Sequence, residues 1–410
     1  MSMRFFLSKN CPNYRNLELS MFKRVGVIGG GQLAWMMGEA AQKLEIELIV
    51  QTPSATDPAV SIASHTIFAS VTDAIATQEL AKHCDVITFE NEFVDLKALS
   101  QLAAQGVQFY PRLEAIAPII DKFEQRTYYQ KIGVPTPQFL AIDPATVNPD
   151  QWGDLNPFGF PVVLKARRHG YDGYGTFICK DVAEFTAVLQ KAEQNWLLEE
   201  FVPFERELAV MAARSPSGEI AIYPVVESEQ ENQVCRRVYL TSALEQGVRD
   251  QGAREQVEAI AHTLLTQLNY VGVLGIELFL TGDGKVLVNE IAPRVHNSGH
   301  YTLDACATSQ FEQHLRAVCG LPLGSVAMTC TGVIMVNLLG FENSELNYAE
   351  QRQRLAAIPN AHVYWYGKTQ SRIGRKLGHV TVLFMHGENR QETEHVAQTI
   401  ERIWYPASPI

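Results

Sequence analysis

The sequence predicts a multidomain protein of mixed α/β and α+β character: a doubly wound N-terminal domain, a central unit of antiparallel strands and a small C-terminal β-rich piece. Three observations lead there. A strand, a glycine turn, a helix and a second strand follow one another between Arg24 and Val50, which is the opening of a right-handed βαβ unit. Two apolar runs flank the turn signal Asp283-Gly284, the mark of an antiparallel hairpin. A chain of 410 residues exceeds one ordinary core, so two or three domains of roughly 100 to 200 residues are expected.

Taken in order, the first strand is Arg24-Val-Gly-Val-Ile28, the turn Gly29-Gly-Gly31, the helix Gln32 to Leu44 and the next strand Ile46 to Val50. Asp85 to Phe89 and Val107 to Phe109 read as further short strands around a helix over Val94 to Ala104. A Rossmann-like domain over 21–122 follows. Turn residues thicken at Gly133-Val-Pro-Thr-Pro137 and again before Pro161. Beyond them come the strand Val162 to Lys165, a loop with three glycines, the strand Trp196 to Val202, a helix over Ala253 to Leu268 and the hairpin Val273 to Ile291. These form the central domain, 123–325, with the glycine lid inside 162–212. The pattern restarts at Gly332 to Leu338 and runs out in the strand-rich piece, 326–410. Residues 1–20 are polar and irregular, and are expected to be a disordered extension whose deletion leaves activity intact.

Hydrophobic residues at 46% and charged residues at 19% are ordinary for a soluble globular protein. The net charge of -11 argues against nucleic acid as a partner, while local basic clusters remain free to hold a small anion. Cys11, Cys84, Cys179, Cys235, Cys306, Cys319 and Cys330 are odd in number and form no C-x-x-C pair, which fits a reduced, cytoplasmic compartment. No run approaches the roughly 18 apolar residues of a membrane span, and the first twenty residues lack the apolar stretch of a signal peptide.

Gly29-Gly-Gly-Gln-Leu-Ala34 matches G-x-G-x-x-A, where backbone amides and a helix N-terminus approach phosphate. A dinucleotide site also needs a carboxylate about 20 residues on, at the end of the second strand. Ile49-Val-Gln-Thr-Pro53 offers none. The turn either packs helix against sheet or binds some other phosphate.

The most informative constellation is the hairpin Val273-Leu-Gly-Ile-Glu277-Leu-Phe-Leu280, Thr281-Gly-Asp-Gly-Lys285, Val286-Leu-Val-Asn-Glu290. A two-residue type I′ turn at Asp283-Gly284 places Glu277 opposite Glu290. Like charges across a sheet destabilise it. A divalent metal between them removes the conflict, and magnesium suits hard carboxylate oxygens while leaving positions for phosphate. Asn289 is a further oxygen donor beside the pair.

Lys165 ends a buried strand and precedes the loop Gly170-Tyr-Asp-Gly-Tyr-Gly175, a point charge for phosphate followed by backbone amides able to close over it. Lys122 by itself reads as an ordinary exposed lysine. The strand end Glu199 to Val202, then Glu207, offers a backbone edge and a carboxylate of the kind an adenine and its ribose require. Arg294, His296 and Asn297 follow the metal-bearing strand directly and suit a reacting anion. Lys368, Arg372, Arg375 and Lys376 form a basic island in an acidic chain, either a solvated face or a phosphate clamp.

Together these motifs resemble the 5-(carboxyamino)imidazole ribonucleotide synthetase family. The likeness runs from about Lys23 to His379 and is carried by Gly29-Gly-Gly-Gln-Leu33, Thr88-Phe-Glu-Asn-Glu92, Gly170-Tyr-Asp-Gly173, Asn289-Glu-Ile-Ala-Pro-Arg-Val-His-Asn-Ser-Gly-His300 and Gly374-Arg-Lys-Leu-Gly-His379. The resemblance implies an ATP-grasp architecture: a Rossmann-like preATP-grasp domain, an ATP-grasp domain and a small β-rich domain, usually as a homodimer. It implies carboxylation of aminoimidazole ribonucleotide with ATP and bicarbonate, and coupling to the mutase of the next purine step. Magnesium would sit on Glu277 and Glu290. ATP would take Lys122, Lys165, Gly170, Tyr171, Asp172, Gly173, Tyr174, Gly175, Thr176, Glu199, Glu200, Phe201, Val202, Glu207, Asn289 and Glu290. Gln32, Glu90, Glu92, Tyr171, Asp172, Lys368, Arg375 and Lys376 would hold the ribonucleotide, with Asp172, Arg294, His296 and Asn297 at the reacting groups. The chain departs from the family pattern at Tyr174, where Lys or Arg is usual, at Ala34 in place of glycine and at Ile373 in place of proline. Related ATP-grasp activities, a formate-dependent phosphoribosylglycinamide transformylase or a biotin carboxylase, are the nearest alternatives. A non-catalytic nucleotide sensor is another; a sensor need not keep both metal carboxylates.

Overall fold

The computed structural model describes residues 23–143, 156–168, 175–191, 195–231, 233–241, 247, 252–386 and 390–406. The expected extension 1–20 and Gly170, Tyr171, Asp172, Gly173 and Tyr174 of the lid loop lie outside them.

Strands β1 (Arg24–Ile28), β2 (Glu47–Thr52), β3 (His65–Phe68) and β4 (Val86–Phe89) form a parallel sheet ordered β3-β2-β1-β4. Its two faces alternate along each strand, as pleating requires. Val25, Val27, Leu48 and Val50 pack under the helix Gln32–Lys43 through Ala34, Met37 and Ala41. Ile28, Ile49, Ile87 and Phe89 pack under Ala74–Ala81 and Leu96–Ala104 through Leu80, Leu99 and Leu102. The strand expected at Val107 to Phe109 reduces to one bridge, Phe109 to Ile87. Pro111 follows two residues later and brings no N–H to continue the ladder.

Strands β5 (Phe139–Ile142), β6 (Val162–Ala166), β7 (Thr176–Cys179) and β8 (Trp196–Glu200) make an antiparallel sheet ordered β5-β8-β6-β7. Phe185, Leu189 and Trp196 fill the apolar layer under it. The remaining strands are β9 (Phe204–Arg214), β10 (Ile220–Ile222), β11 (Val226–Glu231), β12 (Val234–Leu240), β13 (Gly272–Thr281), β14 (Val286–Ala292), β15 (Gly332–Leu339), β16 (Ala361–Trp365) and β17 (Lys376–Phe384). They build one nine-stranded sheet in the order β14-β13-β9-β11-β12-β15-β17-β16, with β10 on β9. The antiparallel pairing of β12 with β15, Tyr239 opposite Ile334, carries the sheet from the central region into the C-terminal one.

The strand-rich ending also holds two helices, Ala349–Ala356 and Arg390–Trp404. The second buries Thr393, Ala397, Ile400 and Trp404, a spacing of four, three and four that marks a helical stripe. Arg237 grips its Glu401 at 2.5 Å, and Trp404 Nε1 donates to the carbonyl of Leu339 at 2.8 Å.

The Glu hairpin differs from a two-residue turn. Leu280 pairs with Val286, Thr281 N donates to Lys285 O at 3.0 Å, and Gly284 takes φ of 80°, so the loop is one residue longer than type I′ allows. Thr281 holds it: its hydroxyl accepts from Lys285 N at 3.1 Å and donates to Asp283 Oδ1. A β-bulge then shifts the ladder between Leu278/Val288 and Glu277/Glu290, leaving Asn289 as the extra residue. The two departures offset one another. Glu277 therefore faces Glu290, the expected pairing reached by an unexpected route.

Candidate active site

The floor of the site is β13 and β14. Side chains of Glu277 and Glu290 keep 26% and 39% of their surface open, so both reach a cleft rather than the core. Burial and the facing Glu290 push Glu277 up to about 7. Burial acts most strongly on Glu290 too, but the Lys122 ammonium, 2.5 Å from its Oε2, together with Lys165 and Arg126 outweighs it and the net shift is downward. Glu207, on β9 opposite Phe279, is also raised to about 7, by burial and then by Glu277.

Lys165, at a nearly buried position of β6, lies 2.7 Å from Glu199 Oε2 and donates to Asn289 Oδ1 at 2.9 Å. Burial draws its pKa below the ordinary value, against the pull of Glu199. Glu199 is buried, which alone would raise it, but Arg126 and Lys165 bring it down to about 2. Arg126 Nε meets Glu199 Oε1 at 2.5 Å, and its Nη2 donates to the Asn289 carbonyl at 2.5 Å. Arg126 was not among the expected residues. Its signal is the stripe Lys122, Arg126, Tyr129 on the helix Lys122–Ile132, spaced i, i+4, i+7, so that Arg126 shares the face of a phosphate-type lysine.

Along the mouth, Phe204 and Phe279 stack at 4.7 Å with ring planes 4° apart, while Phe201 is 36% exposed and Val202 is buried. Glu200 accepts from Gln138 N at 2.8 Å and from its Nε2 at 3.1 Å. Gly175 and Thr176 stand at the entry to β7, where Ala166 N donates to Gly175 O at 2.7 Å.

The second wall begins after β14. Arg294 Nε lies 2.9 Å from Glu92 Oε2, and His296 Nε2 lies 3.7 Å from Glu277 Oε1. His296 Nδ1 shares a 2.9 Å hydrogen bond with Ser298 Oγ. Gln310 fixes the loop by accepting from His296 N at 2.9 Å and donating to its carbonyl at 2.7 Å. Lys368 Nζ donates to Gln32 Oε1 at 2.6 Å and to the Lys376 carbonyl at 2.7 Å, joining the C-terminal strands to the first helix. Lys376 acts electrostatically on Glu277.

Three expected residues are otherwise engaged. Asn297 is buried, and its amide is spent in a reciprocal pair with Asn337, 2.9 and 2.7 Å. Glu90 lies under the glycine turn, where its carboxylate accepts from Gly31 N at 2.7 Å and Leu33 N at 3.2 Å. Any Cβ at Gly31 would collide with that carboxylate, and one at Gly30 would sit 2.5 Å from Thr52 Oγ1. The helix end that resembles a phosphate site thus holds an internal carboxyl group, which burial raises above its ordinary value against the pull of the Gly31 and Leu33 amides. Arg375 donates to the Gln370 carbonyl at 2.7 Å in the loop before β17.

Two facing carboxylates, one raised to about 7 by the other and by burial, with two lysines in reach, fit a hard divalent cation. Among the described residues no group of three His, Cys, Asp or Glu side chains forms a complete protein cage. A cation here therefore draws its remaining ligands from phosphate and water. Among the described residues no helix is long and apolar enough to cross a membrane.

Comparison with known proteins agrees with this geometry. The ribonucleotide synthetase preATP-grasp domain matches residues 22–120, the ATP-grasp domain 127–311 and the phosphoribosylaminoimidazole carboxylase C-terminal domain 333–393. N5-carboxyaminoimidazole ribonucleotide synthase of Synechococcus elongatus is 56% identical over 95% of this chain and 97% of its own; that of Synechocystis sp. is 49% identical over 93% and 98%. Among solved structures, the Aspergillus clavatus enzyme complexed with ATP superposes with a TM-score of 0.82 at 32% identity, covering 93% of this chain and 98% of that one. The same enzyme with ADP and 5-aminoimidazole ribonucleotide gives 0.81 at 31% identity, with the same coverage. The chain belongs to the N5-carboxyaminoimidazole ribonucleotide synthase family of ATP-grasp enzymes.

Proposed function

We propose that this protein is an ADP-forming ligase that uses ATP and bicarbonate to carboxylate the amino group of 5-aminoimidazole ribonucleotide, giving N5-carboxyaminoimidazole ribonucleotide for purine biosynthesis. The observation that carries the reading is Glu277 facing Glu290 with Lys122 and Lys165 around them. In this reading the two glutamates hold magnesium, which when bound neutralises phosphate charge. Lys122, Lys165 and the lid loop of Gly170, Gly173, Gly175 and Thr176 take the phosphates. The strand end at Glu200 to Val202 receives the adenine, and Glu207 the ribose.

A bicarbonate oxygen forms a bond to the γ-phosphorus of ATP as the β–γ bridging bond breaks, giving carboxyphosphate and ADP. The substrate amine then forms its bond to the carboxyl carbon, the carbon–phosphate oxygen bond breaks, and the amine loses a proton. Arg294, steadied by Glu92, and His296, steadied by Ser298, hold the transferring carboxyl group. Asp172 orients the amine or takes its proton. Lys368, Arg375 and Lys376 hold the substrate phosphate, with Gln32 setting Lys368. Asn297 braces this loop through Asn337. The protein works as a homodimer and hands its product to a mutase, readings that rest on family resemblance alone.

The test is ADP release with ATP and magnesium, adding bicarbonate, formate and 5-aminoimidazole ribonucleotide one at a time. Release that needs the imidazole ribonucleotide is expected. Release driven by formate, or by bicarbonate with biotin, would replace this reading.

A further inference from the structure

We propose that Arg126 is a positioning residue for the carboxylate pair: by holding the bulge at Asn289, it fixes the register in which Glu290 faces Glu277. The proposal rests on the reading of that pair as the cation site.

The argument begins at the turn. Near it the ladder pairs Leu280 with Val286 and Leu278 with Val288; continued without interruption, that register would set Glu290 opposite Ile276. A one-residue slip turns a side chain to the other face of the sheet, here toward the apolar layer of Ile276 and Leu278. The bulge prevents this, but it leaves Asn289 outside the ladder. Both oxygens of Asn289 are taken by cations from outside the hairpin. Arg126 Nη2 donates to its carbonyl at 2.5 Å, and Lys165 Nζ to its side-chain oxygen at 2.9 Å.

Strand β14 ends the sheet, so β13 alone flanks it. Its open side is tied from two segments: Val286 N donates to Gln256 Oε1 at 3.1 Å, and beside the bulge Val288 N donates to the Pro135 carbonyl at 2.8 Å while Asn289 O accepts from Arg126. Arg126 itself cannot drift. Its helix starts at Asp121, which accepts from Phe123 N and Glu124 N, and ends at left-handed Gly133, while Glu199 holds the guanidinium by Nε. A guanidinium can bond the Glu199 carboxylate and the Asn289 carbonyl at once because its donors form a rigid fork. One ammonium lacks that reach.

Arg126→Lys therefore separates the two contacts, keeping charge beside Glu199 and losing the bond to Asn289. Mn2+ is titrated in the presence of ADP and free Mn2+ is read by its electron paramagnetic resonance signal. We expect Mn2+ affinity to fall about 10- to 100-fold, the cost typical of losing support behind a metal ligand, with KM for 5-aminoimidazole ribonucleotide unchanged. A variant that is merely less stable would instead unfold at lower temperature and bind Mn2+ normally while folded. Should Arg126→Lys fail to fold, Arg126→Met leaves Glu199 paired with Lys165 and is expected to show the same loss. Parental Mn2+ affinity in either variant overturns the proposal. If the parent releases ADP without any need for the imidazole ribonucleotide, the functional reading fails instead, and the Mn2+ comparison still decides the role of Arg126.

Discussion

Glu90 follows the apolar strand β4 and Glu277 lies within β13; burial raises both carboxyls, yet they are answered differently. Glu90 is satisfied within the chain by the amides of Gly31 and Leu33, at a helix end built of three glycines. Glu277 faces a second carboxylate and is raised to about 7 by burial and by that neighbour. The lesson is that a helix N-terminus shaped for an anion can be filled from inside, whereas a like-charge pair left in a cleft requires something from outside.

The largest test of this contrast is at the pair. Glu277→Gln or Glu290→Gln should cut ADP release by about a thousandfold, roughly 4 kcal/mol of transition-state stabilisation, without loss of folded structure by circular dichroism. Retention of magnesium-dependent turnover in both would erase the difference between the two regions. The reverse is expected for Glu90→Ala. Two helix amides lose their acceptor, costing about 1 to 3 kcal/mol in urea unfolding, while Mn2+ binding in the presence of ADP persists.

Acidity sharpens the comparison further. Glu277 rises from 4.5 to about 7, so metal must displace a proton below that value. Half-saturating magnesium should rise about fivefold on descending from pH 7 to 6, approaching about tenfold per unit below that. Without metal the sign inverts: a carboxyl raised on folding contributes stability below pH 4.5, which is lost as pH climbs toward 7. Chemical unfolding of the metal-free protein across that window checks it. The smallest effect is at the turn, where Thr281→Val removes the hydroxyl that accepts from Lys285 N; a loss near 1 kcal/mol is expected.

Much of this was legible in the chain because it follows from local period and turn chemistry. The alternation of β1 and the stripe of the first helix stand in the sequence, as does the facing of Glu277 and Glu290. That facing, however, came from a simple turn, whereas a longer loop and a bulge produce it together. The loop has a local cause in Thr281 and Gly284, but the bulge has none, since Arg126 and Lys165 hold it from distant segments. Asn297 illustrates the same limit: its partner Asn337 lies 40 residues away on β15. The helix Arg390–Trp404 was missed in a piece read as strand-rich, although Ala397, Ile400 and Trp404 carry a helical period. The glycine turn misled in a different way, because sequence gives the empty space beside a backbone but not the carboxylate that fills it.

The continuity of the nine-stranded sheet reaches further than its topology. Between β13 and β17 lie four strands, five steps in all; laid flat, at about 4.8 Å per step, they would hold Lys376 roughly 24 Å from Glu277. Yet the segment leaving β14 reaches the far strands: Asn297 exchanges amide hydrogen bonds with Asn337 on β15, and the His300 ring lies 5.0 Å from that of His379 on β17. The two margins of the sheet are thus joined by the same segment that carries Arg294 and His296. A substitution at Asn337, far along the sheet, therefore loosens the segment bearing Arg294 and His296 without touching either of the facing glutamates.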